Sequence, residues 1–225
     1  MSRAVRQRGL SLVELLVGTA IGLFLVAIGV TLLSGHLRQQ RALTLESRLM
    51  LDLRACADLI GRDLRRAGFW GDAAAGVWRS GAGAVASNPY TAIAPAAAAS
   101  DTVTFGFSRD DTENQQLDSN ERFGFRLRKG VVEMMLGDGN WQALTDSTSL
   151  TVTAFEVTPR SQEVALERFC TSPCPLNSSS CPPRQQVRSL DVAMTARSAN
   201  DAGMQRSLRS SIRLRNDAVV GACAG

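Results

Sequence analysis

Arg8-Gly9-Leu10-Ser11-Leu12-Val13-Glu14-Leu15-Leu16, continued without a charged side chain from Leu15 to Gly35, decides how the rest of this chain is read. The apolar run is about the length a helix needs to cross the hydrocarbon core of a bilayer. Arg3, Arg6 and Arg8 precede it, which favours a cytoplasmic N-terminus. An ordinary secretory signal has a shorter apolar core and a small-x-small cleavage site, whereas this run ends in Leu33-Ser34-Gly35-His36. A plain signal anchor accounts for length and orientation but leaves Glu14 unexplained. A carboxylate inside a membrane helix costs roughly 2.5–3.5 kcal/mol on insertion scales, so it marks function.

The junction Gly9-Leu10-Ser11-Leu12-Val13-Glu14 closely resembles the class III leader of type IV pilins and type II secretion pseudopilins. The resemblance implies that a prepilin peptidase cuts after Gly9 on the cytoplasmic side and that Leu10 is then N-methylated. It makes Glu14 the fifth residue of the mature chain. The new N-terminus is a cation in apolar surroundings, and Glu14 of a neighbouring subunit can neutralise it. Burying either charge alone costs more than burying the pair, so the pair sets axial register during assembly.

Beyond Gly35 the chain turns amphipathic without a strong breaker. Leu45, Leu49, Leu53, Cys56, Ile60 and Leu64 recur every three or four residues and define one helical face, with Gly68 as the predicted stop. One helix is predicted from about Leu10 to Arg66. Many major pilins have a proline midway along the apolar half; its absence here points to a minor subunit. The stretch Arg62-Asp63-Leu64-Arg65-Arg66-Ala67-Gly68-Phe69 is similar to the PilW family of minor pilins, with the type II secretion pseudopilin GspJ as the near alternative.

Residues 73–100 are rich in Ala, Gly, Ser and Pro and read as a connection lying over a sheet. Strand-like alternation follows. Val103, Phe105 and Phe107 share one face, as do Phe123, Phe125 and Leu127. Arg128-Lys129-Gly130 turns that strand into 131–136, and Gly137-Asp138-Gly139-Asn140 is a second turn. A strand over 150–157 changes phase between Val152 and Phe155, as a bulge would make it do. Two last strands, 187–198 and 205–216, place Leu190, Val192, Met194, Leu208, Ile212 and Leu214 inward. The predicted class is α+β: a long N-terminal helix packed on a mainly antiparallel β-sheet head. The divisions are leader 1–9, membrane and filament-core half 10–35, amphipathic half 36–68, and periplasmic head 69–225.

The chemistry-bearing residues are few. The single histidine, His36, falls just beyond the apolar run, so imidazole-based catalysis and zinc binding have little to work with. No nucleophile elbow or P-loop is present. The reading is therefore of a structural subunit with no cofactor, not an enzyme. The net charge of +4 drops to +1 once the three leader arginines are gone, so no specific nucleic-acid partner is expected. Asp110, Asp111, Glu113, Asp118 and Glu121 are candidate calcium ligands, but without EF-hand spacing. Arg209, Arg213 and Arg215 share one face of the last strand and suit DNA or an acidic partner; a solvated face is the default.

Of five cysteines, Cys56 lies on the apolar helical face. Cys170, Cys174, Cys181 and Cys223 are predicted to form two disulfides, with three connectivities open. A competing arrangement joins Cys223 to Cys56. Such pairing suits an oxidising compartment. The resemblance implies partners: other minor pilins, the major pilin, prepilin peptidase, the pilus assembly machinery and a tip adhesin. It also implies a path from the inner membrane, as a single-pass protein with a periplasmic head, to the pilus tip.

Overall fold

The structure is a computed structural model and describes residues 11–76, 86–109 and 112–224. The chain divides after Ser47 into two compact units. One helix, α1, spans Leu12–Leu64. Its N-terminal part carries apolar side chains on all sides, and residues 12–44 are exposed throughout. The amphipathic pattern takes effect later than position 36. Leu45 is only half-buried, and full burial begins at Leu49, continuing through Leu53, Cys56, Ala57, Ile60, Gly61 and Leu64.

The second unit holds two antiparallel sheets. The first is ordered β1 (Ile93–Ala94), β2 (Thr102–Gly106), β3 (Arg122–Arg128), β4 (Val131–Leu136) and β5 (Trp141–Ala143). The second runs β6 (Leu150–Ala165), β7 (Arg184–Ser198), β8 (Gln205–Arg213), with β9 (Ala218–Val220) also pairing β7. The sheets are joined where Ser100 and Val157 exchange two backbone hydrogen bonds, at 3.1 and 2.8 Å.

One core fills the space between α1 and both sheets. Val103 opposes Phe125 and Phe105 opposes Phe123 across β2 and β3, so the alternating apolar positions of both strands face inward together. Phe107 stacks on Phe123 with ring centroids 4.0 Å apart. From the second sheet come Leu150, Val152, Phe155, Val157, Leu190, Val192, Met194 and Ile212, all buried. From α1 come Leu49, Leu53, Ile60 and Leu64, each contributing roughly 1.5–3 kcal/mol on burial. Gly124 lets β2 and β3 approach closely: a Cβ there would lie 2.6 Å from the Val103 carbonyl oxygen.

Several expectations need adjustment. The predicted strand 150–157 continues through Pro159 to Ala165, because β6 is an edge strand and a proline there gives up no ladder hydrogen bond. Its irregularity falls between Val152 and Ala154, inside the stretch where the change of phase places it. The last strand ends at Arg213 rather than Asn216, and a short ninth strand follows it. The connection 73–100 contributes β1 and a 3-10 turn at Ala73–Gly76.

Candidate functional site: the helix start, its clamped end and the cross-linked loop

The first turn of α1 is the candidate assembly site. Gly9 and Leu10 lie outside the described residues. Glu14 is exposed, and its Oε2 accepts a hydrogen bond from the Ser11 N–H at 3.3 Å. A carboxylate in the first turn also suits the positive end of the helix dipole. Leu12, Val13, Leu15, Leu16, Leu23 and Phe24 are each more than half exposed. An apolar surface of that extent requires lipid or neighbouring helices around it. The hydroxyls agree with such surroundings. Thr19, Thr31 and Ser34 each donate to the carbonyl three residues back, at 3.0, 2.7 and 2.9 Å, so they need no water. Among the described residues, one helix is long and apolar enough to cross a membrane, and it is this one.

The far end of α1 is closed by side chains from distant parts of the chain. Gly68 has φ +74°, a left-handed conformation that glycine adopts without penalty. Its N–H donates to the Gly106 carbonyl at 2.8 Å. The amides of Asn216 and Asn88 cap the Ala67 and Gly68 carbonyls at 3.2 and 2.9 Å. Arg188 donates to the Thr91 carbonyl at 2.6 Å and to the Asn216 carbonyl at 3.0 Å. Burial lowers the Arg188 pKa, while the nearby Asp217 carboxylate opposes that shift.

The cysteines fall into three roles. Cys170 is bonded to Cys223 across 53 residues, and Cys174 to Cys181 across 7. Cys56 is a free, buried thiol, and burial pushes its pKa up to about 12. It is therefore protonated and inert, a small apolar filler in the core. The alternative Cys223–Cys56 bond is absent.

The acidic loop is mainly an internal hydrogen-bond network. Asp110 and Asp111 lie outside the described residues. Glu121 is fully buried; its Oε1 accepts from the Arg109 N–H at 2.8 Å and its Oε2 from the Asp118 N–H at 3.0 Å. Glu113 accepts from the Gly71 N–H at 3.0 Å, the Gln115 N–H at 2.9 Å and the Tyr90 hydroxyl at 3.0 Å. Burial alone would raise the Glu113 pKa. The hydrogen bonds from Ser108, Gln115, Tyr90 and Gly71 together outweigh it and hold the carboxyl below its ordinary value. Asp118 accepts from the Asn114 amide at 2.7 Å. Among the described residues no three acidic, histidine or cysteine side chains converge in a metal-binding group.

Tyr90 and Arg188 carry no local sequence signal of their roles. Tyr90 is the only tyrosine, and its place in the core is set by partners 23 to 31 residues away. The spacing Asp118-Ser119-Asn120-Glu121 did carry a signal, since Asp-x-x-Glu is the pattern of a capping box.

No curated protein and no solved structure gives a significant match to the chain. A family model described as prepilin peptidase-dependent protein B matches residues 42–214, well over half of the chain. The matched stretch begins after the apolar segment, so it rests on the amphipathic half of α1 and the two sheets, not on Gly9–Glu14. An apolar N-terminal helix suited to single-pass anchoring, a two-sheet head and this match agree: the chain belongs to the prepilin peptidase-dependent protein B family of pilin-like proteins.

Proposed function

We propose that this protein is a minor pilin of the type IV pilus, of PilW type. Prepilin peptidase removes residues 1–9, and Leu10 becomes the methylated N-terminus. In the inner membrane the subunit joins other minor pilins in a priming complex that starts assembly of the major pilin. It then stays at the pilus tip beside an adhesin, serving twitching motility, adhesion or DNA uptake. The chain works as a structural subunit, and catalysis belongs to its processing enzyme.

The observation that supports this reading most is the position of Glu14. A lone carboxylate stands in the first turn of a helix whose following thirty or so residues are exposed and largely apolar. A membrane anchor alone has no use for it, whereas a subunit that must neutralise a neighbour's new N-terminus does.

Two measurements test the reading. Mass spectrometry of the mature protein should place the N-terminus at Leu10 with one added methyl group; a start beyond Gly35 would overturn the pilin assignment. Deletion of the gene should abolish twitching and leave type II secretion intact. The reverse outcome would make the chain a GspJ-like pseudopilin instead.

A further inference from the structure

We propose that the edge strand β8 is a docking site for an extended acidic segment of a neighbouring pilin-like subunit. The inference rests on the pilin reading for the identity of the neighbour and on the head alone for the site.

Among the described strands, β8 is hydrogen-bonded only to β7, so its other edge has no strand partner. From Leu190 to Ser198 the residues of β7 alternate between buried and less buried positions. Leu190, Val192, Met194 and Ile212 point into the core, and the positions between them form the outer face. On that face Arg197 pairs with Gln205, Thr195 with Ser207, Ala193 with Arg209, Asp191 with Ser211, and Ser189 with Arg213. Guanidinium-bearing positions therefore recur every fourth residue, about 13 Å apart along the strand, with small hydroxyl residues between them.

The charges there are not balanced within the head. Arg213 has Asp217 at 3.1 Å, and Asp191 is taken by Arg160 at 3.1 Å. Arg197 and Arg209 are exposed and have no acidic partner within 4.0 Å among the described residues.

Cations on an edge strand normally discourage strand addition. They do so selectively. A second copy of β8 brings the same arginines and is repelled, while a strand with outward carboxylates opposite Arg209 and Arg213 meets opposite charge. A nucleic acid fits less well. Glu156 and Asp191 line the same groove of ≈ 340 Å³ as Arg160 and Arg209, and they would face phosphate. No aromatic side chain stands on this face to stack with a base.

The test uses the full chain in detergent micelles and a fluorescein-labelled peptide of alternating Glu and Val, nine residues long to match β8. Three controls share its length: alternating Lys and Val, the acidic peptide with a central proline, and an oligothymidylate. The acidic peptide should bind about tenfold more tightly than the basic one, the sum of a few exposed charge pairs of about 0.5–1 kcal/mol each. The proline-broken peptide should lose most binding, because strand addition needs continuous donors and acceptors. Arg209→Glu combined with Arg197→Glu should invert the preference between the acidic and basic peptides; neither arginine has an ion pair to lose.

Equal binding of acidic and basic peptides, full binding of the proline-broken peptide, or tighter binding of the oligothymidylate would each overturn the proposal. The swap of peptide charge needs no change in the protein, so a misfolded variant leaves the result decisive. None of these measurements requires a pilus, so their failure is separate from failure of processing at Gly9.

Discussion

The two disulfides should differ in how much they stabilise the head, and the difference follows from loop length. In the chain-entropy treatment, a bond restrains the unfolded chain more as the closed loop grows. For Cys170–Cys223, with a separation of 53, the expression gives about 4 kcal/mol at 25 °C. For Cys174–Cys181, with a separation of 7, it gives about 2.5 kcal/mol. A domain of this size loses roughly 2–4 °C in Tm per kcal/mol. The double variant Cys170→Ala/Cys223→Ala should therefore melt about 8–16 °C below the wild type, and Cys174→Ala/Cys181→Ala about 5–10 °C below. Removing both partners of each bond avoids a stray thiol. Circular dichroism melts of the processed chain, under oxidising conditions and with one detergent, give the comparison. A loss for the shorter bond equal to or larger than that for the longer one would refute the reasoning. It would mean that the 174–181 turn fixes native geometry that the rest of the loop depends on.

Glu14→Ala should insert into the membrane as well as the wild type or better, yet fail to restore pili in a deletion strain; full restoration would remove the register role. Glu113 should stabilise the head in a pH-dependent way. Its folded pKa lies below the ordinary 4.5, so the stabilisation is fully present above that value and drains away as pH falls through the folded value. The drop in Tm between neutral and strongly acidic buffer should accordingly be smaller in Glu113→Gln than in the wild type, and equal drops would contradict it. Gly124→Ala should lower Tm by several degrees, because its methyl would be forced to within 2.6 Å of the Val103 carbonyl oxygen, a backbone atom that cannot swing aside. An unchanged melting curve for that variant would show that the two strands part easily.

Much of this architecture is legible in the sequence because its signals are local. The helical face from Leu49 to Leu64 and the alternation of Phe105 with Phe123 are patterns with a fixed period, and both end in the core. The turn at Lys129-Gly130 is likewise written in its residues, with φ +51° and +80°. What could not be read depends on long-range geometry. Pro159 looks like the end of a strand unless one knows that β6 lies at a sheet edge. The division into two sheets depends on how the Ser100–Val157 junction meets the chain, which no local pattern announces. The same holds for the acidic loop: five carboxylates in twelve residues suggest a cation, but Glu113 and Glu121 are occupied by backbone N–H groups and the Tyr90 hydroxyl. Glu14 stands out because a charge in an apolar helix is conspicuous without any fold.

The closed end of α1 bears on how the head responds to a pull along that helix. A helix drawn along its own axis cannot peel from the head one side chain at a time, because Leu49, Leu53, Ile60 and Leu64 are all seated in the same core and must slide together. Beyond the last of them, the chain turns at Gly68 and is tied there to residues 88, 106 and 216, with Arg188 joining residues 91 and 216 behind them. Tension arriving at the end of the helix is thereby split between both sheets and the connection that links them. Extraction of the helix then demands simultaneous rupture of several bonds in shear, which resists force far better than rupture one at a time. The head is built as an anchor knot.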